Sequence, residues 1–534
     1  MKKILKNLDM KRVPLFRKTI LSGLVGATLL STVGCADFLE KEPTFIVKDN
    51  YYTNESDVNI GLTGVYAVMA YQDVYANSLP YHLSMSDEGV WQRSAALTGP
   101  EVYIFDSSNQ LVRNLWKYLY EGIERANVLL DKIDGAEMDE DKRIVAKGEA
   151  KFLRAYYYFM LTSNFGAVPL KVTPTYSVNE VDVPRASLEA LYDFITTEME
   201  EAEAMVQPIT AYGHAGRVTK SAVRGILARV YLKMTGAPLN DVSKYADVVK
   251  WTDKMINPVD GEYQHKLVAD YKQLFKDMAG DKYNIDESIW EVEFYGNRTG
   301  DFAAGRHGNI AGIQFTSETG PDSLGYSYGF ILATKKLYDH YGADDTDERR
   351  DWNIATYGYN NTTGAAVYRP DVDNRLSAKL RRNYEVALPR HKNFTPINFP
   401  LLRYADVLLM YAEAKNELDD VNEAGLKVKM VRDRVNAIDS TATIGGDKAK
   451  MREFIRNERF RELAYEGLRK FDLVRWNIFV ETMHNLASDI TANSPQARKY
   501  TAFGPRNVSA RNVVLPIPLN ELSLNKAITQ NLGW

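Results

Sequence analysis

Hydrophobic residues in this chain recur mainly with the spacing of an amphipathic helix. The clearest run occupies positions i, i+3, i+4, i+7, i+8 and i+11: Val223, Ile226, Leu227, Val230, Tyr231 and Met234. Thr219 precedes this run as a predicted N-cap, and Ser187 precedes a similar run over 188–195. Further helices are predicted over 115–130, 149–163, 404–412 and 452–466.

Strand patterns are scarce. The best candidate is 288–295, where alternation predicts that Trp290 points inward and Tyr295 outward. Between 236 and 400 the chain is dense in Gly, Asn, Asp and Tyr, and helical runs are short. Helices are therefore expected to form the frame, and this region to contribute long loops.

Several predicted helices follow one another across short turns. Such pairs cannot bury an apolar face alone, so they are expected to stack on their neighbours. The predicted fold class is all-α, with tetratricopeptide-like helical hairpins, long loop-rich insertions and few short strands. Because no Gly/Ser-rich or Pro-rich linker divides the chain, we expect one continuous body.

Composition narrows the function. The chain has 534 residues, of which 45% are hydrophobic and 25% charged, and its net charge is -4. These values are typical of a folded globular protein and provide no basic field for nucleic acid. Cys35 is the single cysteine, so disulfides and thiolate metal sites are excluded.

Cys35 lies where an uncharged, apolar stretch ends. Basic residues precede that stretch, and small residues stand just before the cysteine, which is the order of a secretory signal. We expect residues 1–34 to be a lipoprotein signal peptide, with Cys35 the lipidated first mature residue. An incidental free thiol is the alternative, and translation could start at Met1 or Met10.

Four segments carry a more specific signal. They are 148–159 (GEAKFLRAYYYF) with 164–170 (NFGAVPL), 402–414 (LRYADVLLMYAEA), 457–467 (NERFRELAYEG) with 471–476 (FDLVRW), and 515–518 (LPIP) with 531–534 (NLGW). In this order, they resemble the signatures of the SusD/RagB family. The resemblance implies a SusD-like helical-repeat region over 36–235, a loop-rich region over 236–400 that contributes to the ligand site, and a C-terminal RagB/SusD region over 275–534.

The resemblance also implies a function. Members of this family are outer-membrane proteins, held by a lipid anchor, that capture a nutrient outside the cell and pass it to a TonB-dependent transporter of the SusC type. The nutrient is most often an oligosaccharide or polysaccharide, and some members take peptides. We therefore expect a binding protein without cofactor, metal or nucleic acid, and not an enzyme.

Motifs typical of catalysis and metal binding do not change this expectation. Residues 325–329 (GYSYG) match a nucleophile elbow, but the residues before them read as a loop, which disfavours a serine hydrolase or esterase. Glu458, Glu462 and Glu466 are spaced four apart, which predicts a solvated or half-buried ion-pair helix, not a glycosidase site. The seven histidines show no metal-ligand spacing.

Aromatic and polar loop residues remain as candidates for ligand binding, because sugars pack on aromatic rings and need hydrogen-bond partners. The resemblance places one wall of the site in the loop after the first helical segment, with Asp87, Trp91 and Arg93. The opposite wall is expected in the loop-rich middle. It would contain Tyr295, Asn297, Tyr326 and Tyr328.

Overall fold

The computed structural model of the protein describes residues 52–93, 98–177, 182–296, 303–342, 346–438 and 444–534. The predicted signal segment 1–34 and Cys35 lie outside these residues, so both stay predictions. Residues 52–534 form one compact unit.

Helices dominate the described residues, which confirms the predicted fold class. In chain order they are α1 Glu55–Ala67, α2 Gln110–Lys132, α3 Glu140–Phe165, α4 Leu188–Met205, α5 Lys220–Met234, α6 Tyr245–Ile256, α7 Tyr271–Ala279, α8 Lys335–His340, α9 Arg349–Asn353, α10 Tyr404–Glu417, α11 Val421–Asp433, α12 Lys448–Glu462, α13 Arg469–Arg475, α14 Phe479–Asn493, α15 Phe503–Asn507 and α16 Leu519–Leu524.

Local sequence explains where the main helices begin. The Thr219 side chain accepts a hydrogen bond from the Ala222 amide at the start of α5, and Ser187 accepts one from Ala190 at the start of α4. Each cap satisfies a backbone donor that the first helical turn leaves without a partner. Both predicted N-caps are therefore confirmed.

Successive helices stack on one another. Helix α2 packs on α3, α3 on α4, α4 on α5 and α5 on α6, and α10 extends the stack by contacting α6, α11 and α12. Gly225 allows one close approach, because a Cβ there would lie 2.3 Å from a Leu402 methyl carbon. This is the predicted arrangement of stacked helical hairpins.

The strands are few and short. They are β1 Gly89–Trp91, β2 Ser288–Val292, β3 Ile331–Ala333, β4 Ile354–Ala355, β5 Tyr357–Tyr359, β6 Ala366–Tyr368, β7 Leu376–Ser377 and β8 Phe399–Arg403. Four of them form a sheet in the order β1-β3-β7-β4, and the others form the pairs β2-β8 and β5-β6. The pairs β1-β3 and β2-β8 are antiparallel, so segments far apart in sequence meet there.

Two local predictions need correction. Helix α12 ends at Glu462, not at 466, because Tyr465 and Gly467 adopt left-handed backbone angles with φ of 64° and 72° that end the helical path. Strand β2 ends at Val292, not at 295. Trp290 is buried and Tyr295, beyond the strand, is exposed, as predicted, but Glu291 is also buried. Its carboxylate accepts hydrogen bonds from Ser288 and Asn398, which replace water.

The glutamates of the 457–467 segment are interior, so the expectation of a solvated or half-buried ion-pair helix is wrong. They belong to an interior charge cluster, which we define as Glu287, Arg349, Arg403, Arg434, Glu458, Glu462 and Glu466. Arg461 of the same helix pairs with Glu458, but the arginines of the cluster come from other elements, so spacing alone could not reveal this burial. Glu462 accepts from three of them: Arg349, Arg403 and Arg434.

No helix within the described ranges is long and apolar enough to cross a membrane. Histidine, cysteine, aspartate and glutamate side chains do not converge into a metal-binding group anywhere in the same ranges.

Candidate ligand-binding site

Strand β1 fixes the first predicted wall of the site. Trp91 is paired with Ile331 of β3, and the next amide, that of Gln92, donates to the Phe330 carbonyl at 2.9 Å. Gly89 permits this pairing, because a Cβ there would lie 2.5 Å from an Ile331 methyl carbon. The indole of Trp91 consequently lies 5.1 Å from the Phe330 ring, measured between centroids.

The second wall is the extended segment that runs into β3. Tyr326, Tyr328 and Phe330 alternate along it, so their side chains fall on one side of the backbone. Their ring centroids are separated by 5.0 Å and then 4.8 Å, the second pair stacked with an interplanar angle of 21°. All three rings are half-buried, which leaves part of each accessible to solvent.

Together these rings make a continuous row that we call the aromatic stripe: Tyr326, Tyr328, Phe330 and Trp91. Trp91 forms its inner end. It is 8% exposed and packs against His82 at 4.8 Å as well as against Phe330. The other three rings therefore supply most of the stripe's accessible surface.

Hydrogen bonds on the far side of the backbone hold the segment in place. The amide of Tyr328 donates to the Asn309 carbonyl, and that of Phe330 donates to the Ile310 carbonyl, both at 2.8 Å. Ser327 lies between the rings and is 1% exposed, with its hydroxyl 3.3 Å from the Asn309 carbonyl. Its burial, followed by strand β3 and not a helix, is not the geometry of a nucleophile elbow.

Three cations flank the stripe. The Arg93 guanidinium lies 5.1 Å from the Phe330 centroid, Arg306 lies 5.8 Å from Tyr328, and the Lys392 ammonium lies 5.0 Å from Tyr326. These distances suit cation–π attraction. Each cation thus has an aromatic partner on the surface that the stripe presents.

Polar groups reach the same surface. The Tyr328 hydroxyl donates to Asn393 Oδ1 at 3.0 Å, and Lys392 pairs with Glu318. Partial burial raises the pKa of Tyr326 above its ordinary value, so its hydroxyl stays protonated at neutral pH. The stripe therefore combines flat apolar surface with hydroxyl, amide and cationic groups.

A cleft of about 220 Å³ opens at the Trp91 end of the stripe. Its lining includes Arg93, Glu101, Lys499, Tyr500 and Arg506. The Tyr500 hydroxyl donates to the Gln92 carbonyl at 2.5 Å, which connects the cleft to the end of β1.

The structure places Asp87 in the interior, away from the stripe. Its carboxylate is fully buried and pairs with Arg469 at 2.8 Å and with Lys336 at 2.7 Å. Burial alone would raise the pKa of Asp87, but the two cations outweigh it and hold the pKa below its ordinary value. Asp87 also accepts at its backbone carbonyl from Thr334, so it fastens β1 to the residue after β3.

The remaining predicted residues stand apart. Tyr295 is 66% exposed and makes no ring contact with the stripe within the residues that the structure describes. Asn297 lies outside those residues, and its predicted role stays a prediction. The structure thus brings together Trp91, Arg93, Tyr326 and Tyr328, but not Asp87 or Tyr295.

Sequence reasoning missed Phe330, Arg306, Lys392 and Asn393. The alternation of rings at 326, 328 and 330 was a visible signal for Phe330, because residues two apart in extended chain share a face. Lys392 and Asn393 gave no local signal. They reach the stripe from a loop more than 60 residues further along the chain.

Comparison with known proteins agrees with this architecture. A model of the SusD family matches residues 286–534, and a second, described as "Starch-binding associating with outer membrane", matches residues 37–232. The chain belongs to the SusD family. Its helical stack and long interrupting loops are the SusD-family fold.

Individual SusD relatives match over most of their length. The SusD-like protein P25 of Formosa agariphila is 26% identical over 94% of this chain and 96% of its own. The crystal structure of a SusD homolog from Bacteroides thetaiotaomicron superposes with a TM-score of 0.82 at 25% identity, covering 91% of this chain and 98% of that one. A structure titled "Laminarin binding SusD-like protein" superposes with a TM-score of 0.69 at 26% identity, covering 90% and 100% of the two chains.

Proposed function

We propose that this SusD-family protein binds a glycan along the aromatic stripe and delivers it to a TonB-dependent outer-membrane transporter of the SusC type. The observation that carries the proposal is the continuous row of four rings bordered by hydrogen-bonding side chains. The laminarin-binding relative supports a carbohydrate as the ligand class.

The chemistry of the stripe fits a chain of sugars. Pyranose rings present C–H faces that pack on aromatic faces, while their hydroxyls need hydrogen-bond partners at the edges. Tyr326, Tyr328 and Phe330 supply the faces, and Asn393 and Lys392 supply partners beside them. An elongated row suits an extended oligosaccharide better than one monosaccharide.

Anchoring is expected from the signal segment that ends at Cys35, and delivery to the transporter is expected from the family resemblance. Lipidation of Cys35 would hold the protein at the outer membrane with the ligand site facing the cell exterior. Stable anchoring needs more than one acyl chain, because a single chain binds reversibly. Replacing Cys35 by Ala is expected to yield a folded protein that binds glycan in solution but no longer supports growth on it.

A direct binding experiment tests the ligand class. Tyr328→Ala removes the central ring, and Tyr368→Ala removes an exposed tyrosine of β6 outside the stripe as a matched control. In affinity gels and calorimetric titrations, we expect Tyr328→Ala to weaken glycan binding at least about tenfold and Tyr368→Ala to leave it unchanged.

Other outcomes would redirect the proposal. If the protein retained peptides but no glycan, it would be a peptide-binding member of the family. If incubation with a polysaccharide released new reducing ends, the protein would be a surface glycoside hydrolase. Glycan affinity that survives both Tyr328→Ala and Trp91→Ala would show that the stripe is not the site.

A further inference from the structure

We infer that the ligand is an anionic glycan, one that carries uronate carboxylates or sulfate esters. This inference rests on the proposed function and specifies the ligand class of the same site. The charged groups around the stripe and its cleft support it.

The sign of the charge at the site opposes that of the chain. The whole sequence has a net charge of -4, yet the stripe and cleft bring together five cations: Arg93, Arg306, Lys392, Lys499 and Arg506. Two carboxylates accompany them. Glu318 pairs with Lys392, and Glu101, in the cleft, lies 3.6 Å from His82 Nδ1.

The two arginines on the stripe lack carboxylate partners. Arg306 donates from both Nε and Nη2 to Asn309 Oδ1, a neutral acceptor, at 3.2 and 2.9 Å, and its side chain is only half exposed. Its Nη1 makes no hydrogen bond to the described residues. Arg93 is exposed, and neither it nor Arg306 forms an ion pair within the described part of the chain. A guanidinium presents a planar fork of donors that matches a carboxylate or sulfate, so both are placed to receive one.

A second pair of arginines lies behind the stripe, beside two aspartates. Arg369 and Arg498 both donate to Asn374, the first to its carbonyl and the second to its side chain, each at 2.7 Å. Arg369 also donates to Gln314 Oε1, and Gln314 donates to the Tyr328 carbonyl. The Asn374 side chain also donates to Asp371 at 2.8 Å, and Asp373 precedes it in the chain. These carboxylates balance the two arginines, so the excess of positive charge is that of the stripe and cleft.

A neutral glycan would use the rings but would leave this charge without a counterpart. An anionic glycan uses both: its sugar faces pack on the stripe, while its acidic groups meet Arg306 beside the central ring and Arg93, Lys499 and Arg506 in the cleft. Arg306 lies beside Tyr328, and Arg93 lies beside the next ring, Phe330, and lines the cleft together with Lys499 and Arg506. This spread of cations favours an acidic group on more than one sugar of the chain.

Matched polymers isolate the charge from the sugar. Polygalacturonate is compared with its methyl-esterified form, κ-carrageenan oligosaccharides with their desulfated form, and alginate with a neutral β-1,3-glucan, each by calorimetric titration. We expect the affinity of the protein for the acidic polymer of a pair to exceed its affinity for the neutralised counterpart by at least about tenfold. The affinity for the acidic polymer should fall as the NaCl concentration rises. The carboxylate and sulfate arms distinguish the two sources of charge.

Variants test the named residues. The double variant Arg93→Gln/Arg306→Gln should lose at least about tenfold in affinity for the acidic glycan, whereas Arg306→Lys should retain part of it because the charge remains. Lys117→Gln is the matched control, because Lys117 also lies over a tyrosine, Tyr118 of α2, but away from the stripe. Lys499→Gln, at the cleft, provides a second variant should Arg306→Gln fold poorly.

The outcomes separate this inference from the proposed function. Equal binding of an acidic glycan and its neutralised counterpart, or binding of the neutral glycans alone, would overturn the inference and leave glycan binding intact. Binding of no glycan in either series would count against the proposed function as well.

Discussion

Arginine plays two different parts in this protein, one in the interior charge cluster and one along the aromatic stripe. In the cluster, Arg349 donates to Glu458 at 2.5 Å and to Glu462 at 2.9 Å, and Arg403 is similarly surrounded by carboxylates. At the stripe, Arg93 and Arg306 lie over aromatic rings and form no ion pair with described residues. The same side chain is internally neutralised in one region and left available in the other.

The difference is explained by the cost of burying charge. A guanidinium withdrawn from water must have carboxylates around it, since a lone buried charge costs several kcal/mol. A partly exposed guanidinium remains hydrated, so it needs no carboxylate partner within the protein and stays able to bind a ligand. The interior arginines therefore serve stability, and we propose that those on the stripe serve binding.

The largest effect is expected in the cluster. Glu462→Gln removes the carboxylate shared by Arg349, Arg403 and Arg434, and should lower the free energy of unfolding by about 3–5 kcal/mol. Glu453→Gln, an exposed position on the same helix, should change it by less than about 0.5 kcal/mol. Urea unfolding measures both changes. If the two variants lost equal stability, the interior charge cluster would not have the stabilising role assigned to it.

The pH dependence of stability should report on the same carboxylate. Burial alone would raise the pKa of Glu462, but Arg434, Arg403 and Arg349 lower it from 4.5 to about 2. Its contribution to stability is therefore complete above about pH 4.5 and is lost as pH falls toward 2. Unfolding measured across this range should show a shallower pH dependence in Glu462→Gln than in the wild type.

Glu88 is expected to change the stability in the opposite direction with pH. This buried carboxyl of the β1 segment has one oxygen without a hydrogen-bond partner, and burial raises its pKa from 4.5 to about 7. Since the folded protein holds this proton more tightly, stability falls as pH rises from about 4.5 to 7. Glu88→Gln should match the wild type near pH 4 and exceed it by up to about 3 kcal/mol at pH 8. A constant difference across pH would exclude Glu88 as the titrating group.

The smallest effect on stability is expected at the stripe. Arg93→Gln should change the free energy of unfolding by less than about 0.5 kcal/mol, because its guanidinium is exposed and neutralises no carboxylate among the described residues. The same variant should weaken binding of an acidic glycan. A loss of stability comparable to that of Glu462→Gln would place Arg93 with the interior arginines instead.

The frame of the fold was predictable where its causes are local. The helices α4 and α5 follow from a 3.6-residue repeat and a capping side chain, both within one short segment. The end of α12 was not predictable, because tyrosine rarely adopts the left-handed backbone conformation that Tyr465 has here. Nothing in the periodicity marks such a position.

The candidate site was predictable in part for the same reason. Trp91, Tyr326 and Tyr328 stood out as aromatic residues in loop-like sequence, and the structure gathers them into one row. Asp87 looked equally suitable, but its carboxylate points into the interior and pairs with Arg469, 382 positions away. The type of a polar residue does not predict whether its side chain will point to the surface or into the interior.

The sequence by itself determined the helical repeats, the resemblance to the SusD family and the aromatic character of the loops, because each is written in residues close together along the chain. Only the tertiary structure decided which charges are buried in pairs and which lie beside the aromatic stripe. Burial and pairing depend on segments far apart along the chain: Asp87 and Arg469 are 382 positions apart, and Tyr328 and Asn393 are 65 positions apart. Packing alone brings these segments together.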